Sequence, residues 1–156
     1  MKSPFKLAII STLILFIIFL LVLSSAILIS RYNPVPVFRQ SPPDNTVLRV
    51  IDGDTIEMAS GEIIRLICID TPEQGEEGYE ESTNFLSNLI LNREVTLESD
   101  IQDKDSYGRL LRYVYLDIPE QRLFINKILY QQGYAEMMII PPSDSKCGEI
   151  SSSRIP

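Results

Sequence analysis

The chain has no histidine among its 156 residues. It therefore cannot form a Ser-His-Asp or Cys-His nucleophilic site, a histidine zinc site, or an imidazole general base. Carboxylates are left as the natural groups for proton transfer.

Cysteine is scarce, since Cys68 and Cys147 are the two cysteines in the sequence. Two are too few for a cysteine zinc site. Cys68 lies within an apolar, strand-like run, so a buried free thiol is the favoured interpretation. A disulfide is the alternative if the domain lies outside the cell, although Cys147 falls in a polar tail whose position the sequence does not define.

Basic residues are also few. The segment from Asp44 to Glu149 holds all 21 acidic residues but only nine of the 14 basic ones, which gives it a formal charge of −12. Such a domain repels polyanions at long range, so a module that binds nucleic acid by neutralising many phosphates is disfavoured. An enzyme needs only local positive potential, from a bound cation and two arginines.

One long hydrophobic run is present, over residues 7–29 after a short tail of residues 1–6. At about 1.5 Å per residue, it is long enough to cross a hydrocarbon core of about 30 Å, and it predicts a transmembrane helix. A cleaved signal peptide is the alternative, because Ser24 and Ala26 resemble a cleavage site. The run is longer than the hydrophobic region of a signal peptide, which usually has about 7 to 15 residues, so an uncleaved anchor is favoured.

The orientation of the anchor follows from the charges that flank it. Lys2, Lys6 and the α-amino group lie on one side, against Arg31 and Arg39 on the other, which favours a cytoplasmic N-terminus. We therefore expect a single-pass protein of the cell membrane whose folded domain is extracytoplasmic, or a secreted one if the N-terminal segment is cleaved.

Composition divides the rest of the chain into three parts. Residues 30–45 contain four prolines and predict an extended linker. A folded domain is expected over residues 46–141, and residues 142–156 read as a polar C-terminal tail.

Hydrophobic periodicity predicts an α+β domain. Strands are expected over residues 47–51, 55–59, 62–69, 94–99 and 110–116, with a polar loop over residues 100–108. Helices are expected over residues 76–91 and 121–132, the second ended by Gly133. Five short strands with this spacing suit a five-stranded OB-fold β-barrel with two or three helices.

Three short segments carry most of the chemistry: Asp52-Gly-Asp-Thr55, the stretch from Arg65 to Asp70-Thr-Pro-Glu73, and Tyr107-Gly-Arg109. Carboxylates suit a hard divalent cation, and the planar fork of arginine suits phosphate oxygens, so together they indicate phosphoryl chemistry. Taken singly, the first segment could be a strand-linking turn and Asp70 to Glu73 a helix start.

Arg65 is harder to explain by local structure. It interrupts an apolar run, where a buried charge needs a partner, and Asp54 or Glu73 could supply one in either a structural ion pair or an active site. Because Arg65 and Asp70 are an odd number of residues apart, a flat strand would place them on opposite faces. A twist or bulge near Ile69 is therefore predicted.

The order VIDGDT, IIRLICIDTPE, SYGRLLRYVY and INKILYQQGYA resembles the thermonuclease, or staphylococcal-nuclease-like, family over residues 47–135. The resemblance implies an OB-fold nuclease that uses Ca²⁺ to hydrolyse phosphodiester bonds in DNA and RNA. It implies calcium ligation by the side chains of Asp54 and Asp70 and by the backbone carbonyl of Thr71. It implies that Glu73 activates or orients the attacking water, and that Arg65 and Arg109 bind the phosphate. Tyr107, beside Arg109, is the best candidate for contacting the nucleotide.

The sequence departs from the family pattern in three places. Ser106 replaces a lysine before the Tyr-Gly-Arg segment, Ile139-Ile140-Pro141 replaces tyrosines, and no amphipathic stretch follows to form the closing C-terminal helix. The leading hypothesis is a membrane-associated, calcium-dependent nuclease acting on DNA or RNA, monomeric and without a protein partner. The alternative is a non-catalytic OB-fold binding module that keeps the motifs as structural ion pairs.

Overall fold

A computed structural model of the chain describes residues 4–31 and 41–152, with side chains for residues 12–25 and 41–152. The chain divides into two units, residues 1–40 and 41–156. Most of the predicted linker, together with residues 1–3 and 153–156, lies outside the described residues.

The first unit contains one helix, α1, Pro4–Arg31. Its described side chains, residues 12–25, are all exposed. Within the described part of the chain, no helix is both long enough and apolar enough to cross a membrane. The structure thus gives no support to the predicted transmembrane span over residues 7–29.

The second unit is built on an OB-like sheet. Three antiparallel strands form a meander: β1, Val47–Val50; β2, Thr55–Met58; and β3, Ile63–Leu66. The later strands are β5, Thr96–Lys104; β6, Leu110–Ile118; and β7, Gln121–Phe124. β6 joins the two groups, because it pairs in parallel with β3 and antiparallel with β5 and β7. The α+β class is confirmed, and the main sheet has six strands where five were expected.

The predicted strand over residues 62–69 is divided in two. After β3, Ile67 donates its N–H to Arg112 O (3.0 Å), and Cys68 takes a left-handed φ of 68°. The chain then continues as β4, Cys68–Asp70, which pairs with β8, Glu136–Met138, in a separate two-stranded sheet. The predicted irregularity is present, and it begins two residues before Ile69.

Two further boundaries differ from the predictions. β5 runs through Lys104, into the predicted loop, because its pairing with β6 resumes after an irregularity at Lys104↔Leu110. The predicted helix over residues 121–132 begins as β7, which forms a hairpin with the end of β6, and only Ile125–Gln131 is helical, as α3. The helical pattern was correct for its second half, where Ile125 and Leu129 are buried.

α2, Tyr79–Ile90, confirms the predicted amphipathic helix but begins three residues later than expected. Its residues Ser82, Leu86 and Ile90 face the interior, and the residue before it, Gly78, has a φ of 92°. The hydrophobic core therefore lies between this helix and the sheet, with α3 closing the other side.

The C-terminal residues differ from the expected polar tail. They form a short helix, α4, Cys147–Ser151, in which Cys147 and Ile150 are buried. Cys147 forms a disulfide with Cys68, across a Cα–Cα distance of 5.3 Å. The favoured prediction of a free buried thiol is therefore wrong and the alternative is correct, because α4 packs on α3 and brings its cysteine back to β4.

Candidate active site

The turn between β1 and β2 places one carboxylate inside the domain. Asp52 Oδ1 accepts a hydrogen bond from the N–H of Asp54 (3.0 Å), which closes a local Asx turn. A Cβ atom at Gly53 would lie only 2.6 Å from Ser82 Oγ and 2.7 Å from Thr71 Oγ1, so this position needs glycine. The Asp-Gly-Asp turn is thus packed against the start of α2 rather than simply joining two strands.

Asp54 is 5 % exposed, and its carboxylate contacts residues of β2, of β3 and of the segment that follows β4. Its Oδ1 accepts from the Thr55 hydroxyl (3.0 Å), and its Oδ2 accepts from the Thr71 N–H (3.0 Å) and hydroxyl (3.2 Å). Arg65 Nη2 lies 3.1 Å from the same Oδ2. Burial raises the pKa of Asp54 to about 7, although the Arg65 charge acts against this rise.

Arg65 joins the two halves of the divided strand. It is 5 % exposed, and its Nη1 donates to Leu66 O (2.8 Å) and Ile69 O (2.7 Å). Its Nη2 donates to Asp70 Oδ1 (2.7 Å), so one guanidinium nitrogen contacts both Asp54 and Asp70. Among the described residues, no acceptor contacts the Nε–H of Arg65, so this N–H is available to another ligand.

Glu73 follows β4 on the exposed approach to α2. Its backbone N–H donates to Glu76 Oε2 (2.8 Å), which holds the chain at this point. Its own carboxylate has no hydrogen bond or ion pair among the residues that the structure describes. An exposed, unengaged carboxylate is free to accept a proton from a bound water.

Arg109 enters the site from the start of β6. Its Nε donates to Asp105 Oδ2 (2.6 Å) and its Nη1 lies 3.4 Å from Thr55 Oγ1. Asp105 Oδ1 also accepts the backbone N–H groups of Tyr107 (2.9 Å) and Arg109 (3.0 Å). Tyr107 is 84 % exposed, and its ring centroid lies 5.5 Å from the Arg109 guanidinium carbon.

Sequence reasoning missed Asp105, which shapes this loop and orients Arg109. The signal was present, because an aspartate two residues before Tyr107 in a polar loop is typical of an Asx turn. Burial raises the pKa of Asp105, but the Arg109 side-chain and backbone hydrogen bonds outweigh it and hold that pKa below its usual value.

An open cleft of about 390 Å³ brings these segments together. Five of the predicted site residues line it: Arg65, Asp70, Glu73, Tyr107 and Arg109. Asp54 and Thr71 do not line the cleft. Asp54 contacts Arg65, which does line it, and Thr71 contacts Asp54. Gln102, Met138 and Ile140 also line the cleft and were not expected as site residues.

The oxygen donors available to a metal ion are two carboxylates and one carbonyl. Asp54 and Asp70 converge on the same Arg65 nitrogen, and half of the Asp70 side chain is exposed. Within the described residues there is no group of three or more acidic or cysteine side chains suited to a metal. The carboxylate oxygens of Asp54 and Asp70 are hard ligands of the kind that a calcium ion accepts together with water.

This arrangement is suited to hydrolysis at a phosphate. Two guanidinium groups approach one cleft from β3 and β6, and an unengaged carboxylate lies on the same wall. Guanidinium donors stabilise charge on phosphate oxygens, while a carboxylate can take a proton from water.

Comparison with known proteins gives a consistent result. The family model described as staphylococcal nuclease homologue matches residues 63–153, which include the site residues from Arg65 to Arg109. A thermonuclease of Staphylococcus intermedius is 34% identical over 142 residues, an alignment that covers 81% of this chain and 82% of the relative.

Two other relatives extend this pattern. A thermonuclease of Staphylococcus hyicus is 35% identical over 106 residues, covering 62% of this chain and 60% of the relative. An uncharacterized endonuclease of Escherichia coli O157:H7 is 35% identical over 114 residues, covering 67% and 71%.

Proposed function

This chain belongs to the staphylococcal nuclease family and is a nuclease, and we propose that it uses calcium to hydrolyse phosphodiester bonds in DNA, RNA or both. The observation that carries the proposal is the cleft in which Arg65 and Glu73, from one segment, meet Arg109, from a distant one. If these residues served only in separate ion pairs that stabilise the fold, they would not need to line the same cleft.

The two arginines are proposed to hold the phosphate. Arg109 is partly exposed and keeps its Nη2 available beside the cleft, since Asp105 contacts its Nε and Thr55 its Nη1. Arg65 offers its Nε while its other nitrogens are held by protein oxygens. Preorganised donors of this kind lower the barrier where charge develops, and each contributes about 10² to 10³ in rate.

Glu73 is proposed as the general base or as the group that orients the attacking water. Its carboxylate lines the cleft and is not engaged by any other group among the described residues. With no histidine in the chain, a carboxylate is the remaining candidate for this task. A general base contributes about 10² to 10⁴ in rate.

Asp54, Asp70 and the backbone carbonyl of Thr71 are proposed to hold the calcium ion. The support is the convergence of both carboxylates on one point and the affinity of hard cations for oxygen ligands. When bound, the ion would polarise a water molecule and a phosphoryl oxygen. Asp54 lies deepest and is held by Thr55 and Thr71, so its position does not depend on the ligand.

The test is hydrolysis of single-stranded DNA and of RNA by the purified full-length chain, with calcium or with EDTA. Glu73→Gln removes the proposed base, and Glu80→Gln is the matched control, because Glu80 is exposed on α2 and does not line the cleft. We expect calcium-dependent cleavage that falls at least about 100-fold in Glu73→Gln and stays near wild type in Glu80→Gln.

Lack of cleavage by a folded, calcium-saturated wild type would support the alternative instead. In that case Arg65 would act as a structural ion-pair partner in a binding module, which is a role its present contacts also allow. Circular dichroism and a thermal melt would verify folding in every sample.

We also propose that the protein is monomeric and acts outside the cytoplasm, associated with the membrane. The Cys68–Cys147 disulfide supports an oxidising compartment, where structural disulfides form and persist. Membrane fractionation, with protease treatment of intact cells and of lysed cells, tests the location. Protection of the folded domain in intact cells would contradict it.

A further inference from the structure

We propose that Met138 is a site of oxidative modification, at which hydrogen peroxide converts the thioether to a sulfoxide that reversibly lowers the activity of the cleft. This inference rests on the proposed nuclease function and adds a form of regulation to the same site. It is carried by the composition of the chain, by the exposure of Met138 and by its contact with Arg65.

The composition limits where peroxide can react. Among side chains, peroxide oxidises the sulfur atoms of cysteine and methionine. Cys68 and Cys147 are joined in a disulfide, so neither offers a thiol. The chain also has no histidine and no tryptophan, and it has four methionines. Methionine is therefore the residue type on which oxidation by peroxide falls.

Met138 is the most exposed of the three methionines whose side chains the structure describes. Met58 is 1 % exposed and belongs to the core, and Met137 is half-buried and packs against that core. Met138 is 41 % exposed. Because Met137 and Met138 are consecutive residues of β8, their side chains point to opposite faces of the strand. Met138 is thus the thioether that a peroxide molecule reaches from solvent.

Met138 lies against one of the arginines proposed to bind the phosphate. Its Sδ is 3.9 Å from Arg65 Nη2, and its side chain lines the cleft together with Arg65, Glu73 and Arg109. β8 holds it there, because Met138 pairs with Cys68 at the start of β4. A thioether sulfur is a weak acceptor, so in this state it competes little for the guanidinium group.

The proposed reaction is a two-electron oxidation of sulfur. A lone pair of Met138 Sδ attacks one oxygen of hydrogen peroxide, the O–O bond breaks, and that oxygen stays on sulfur as the sulfoxide. The other oxygen leaves as water with both protons of the peroxide. The sulfur is oxidised and the peroxide is reduced, so no further reactant is needed. A methionine sulfoxide reductase reverses the step with a dithiol, which becomes a disulfide as water is released.

The sulfoxide changes the chemistry of the cleft wall. It replaces an apolar sulfur with a polar S–O group whose oxygen is a strong acceptor. With the sulfur 3.9 Å from Arg65 Nη2, that oxygen can accept from the guanidinium group, in competition with a phosphate oxygen. It also takes up space in the cleft beside Arg65. We therefore expect the substrate to bind in a less productive position after oxidation.

The experiment exposes the full-length chain to hydrogen peroxide for increasing times and stops each reaction with catalase. Peptide mapping by mass spectrometry locates each added oxygen, including any on Met1, whose structure is not described. Cleavage of single-stranded DNA with calcium is measured on the same samples. We expect Met138 to be oxidised before Met58 and Met137, and kcat/KM of the Met138-oxidised protein to be about 10- to 100-fold lower, because a misplaced substrate costs that much in rate.

Two leucine variants identify the methionine responsible. Met138→Leu keeps an apolar side chain that peroxide does not oxidise, and Met137→Leu is the matched control at the neighbouring position. Each variant is compared with its own untreated sample. Peroxide should leave the kcat/KM of Met138→Leu unchanged, whereas Met137→Leu should lose activity as wild type does.

A third variant and a reversal test the proposed cause. Met138→Gln places an amide oxygen near Arg65, so without peroxide it should have a kcat/KM about 10-fold below that of Met138→Leu. The two methionine sulfoxide reductases, one for each epimer, should restore oxidised wild type when supplied with a dithiol. Unoxidised protein given the same treatment is the control, because the dithiol also acts on disulfides. Thermal melts verify folding in every sample.

The other outcomes contradict the inference. It is overturned, while the proposed function stands, if Met58 or Met137 is oxidised first, if oxidation of Met138 leaves kcat/KM unchanged, or if Met138→Leu loses activity as wild type does. If untreated, folded wild type cleaves no DNA with calcium, the proposed function fails and this inference fails with it.

Discussion

Arg65 and Arg109 occupy the same cleft but are held by the protein in different ways. Arg65 is buried and contacts four oxygen acceptors, on Leu66, Ile69, Asp70 and Asp54, as well as Met138 Sδ. Arg109 is partly exposed and contacts mainly one loop aspartate. Arg65 therefore supports the fold in addition to its proposed role in binding phosphate, whereas Arg109 has the proposed role with little effect on the fold.

Substitution separates these roles. Arg65→Ala leaves two carboxylates without their partner and should lower the free energy of unfolding by about 3–5 kcal/mol. Arg109→Ala breaks a partly exposed pair and should cost about 1 kcal/mol or less. Urea denaturation of both variants measures the difference, and equal losses would contradict this assignment.

Asp105 positions Arg109, and the substitution Asp105→Asn removes the negative charge of Asp105. The amide oxygen can still accept the backbone N–H groups of Tyr107 and Arg109, so the loop should keep its shape, but the ion pair to Arg109 Nε is lost. We expect kcat/KM for single-stranded DNA to fall about 10- to 100-fold, because a misplaced donor costs that much in rate. A separate measurement of kcat and KM at neutral pH tests this; unchanged kinetics in a folded variant would rule out the positioning role.

At the scale of elements, the break between β3 and β4 creates the site. A continuous strand would have placed Arg65 and Asp70 on opposite faces. The left-handed Cys68 turns the chain, so that the guanidinium reaches both the carbonyl of Ile69 and the carboxylate of Asp70. The same turn directs Cys68 toward α4.

The disulfide attaches α4 to this turn, so reduction should weaken the whole domain. The bridge joins cysteines 79 residues apart, and a loop of that length corresponds to about 4–5 kcal/mol in the chain-entropy model. Urea denaturation with and without a dithiol reductant measures the loss. The variant with both Cys68→Ala and Cys147→Ala should show no response to reductant, and a wild-type loss below about 1 kcal/mol would contradict the expectation.

Asp100 makes a second connection to the C-terminal segment, and the strength of this connection depends on pH. Its Oδ2 accepts from the Tyr113 hydroxyl (2.7 Å) and from the N–H and hydroxyl of Ser145. Burial raises the pKa of Asp100, but hydrogen bonds from Tyr113, Ser145 and Ile101 outweigh it and hold that pKa below its usual value. A lowered pKa stabilises the folded state above the unfolded pKa, and this contribution is lost as pH falls through the folded pKa.

Asp100→Asn should therefore be less stable than wild type at pH values of about 5 to 7, by about 1–2 kcal/mol for the weakened hydrogen bonds. The difference should shrink below about pH 4, where the wild-type carboxylate also becomes protonated. Thermal melts across this pH range measure it. If the difference in stability between the variant and wild type stays constant below about pH 4, the carboxylate charge is not its cause.

At the scale of the whole molecule, the negative charge limits how the protein can hold a polyanion. The cleft offers two cations to a substrate, Arg65 and Arg109, which are proposed to hold one phosphate. Each phosphate neutralised on a single strand contributes about 0.7 to the salt slope, so log(1/KM) against log salt should fall with a slope of about −0.7. Steady-state kinetics on oligothymidylate at constant calcium tests this, and a slope steeper than about −4 would reveal a larger basic surface.

The sequence by itself determined the α+β class, the Asp-Gly-Asp turn, the amphipathic α2 and most candidate site residues, because these depend on local periodicity and side-chain chemistry. Only the tertiary structure decided that residues 121–124 form a strand, that Cys147 reaches Cys68, and that Asp105 holds Arg109. Each of these depends on which distant segments come into contact. A helical pattern cannot report a hairpin partner, and a polar tail does not show which of its residues will be buried.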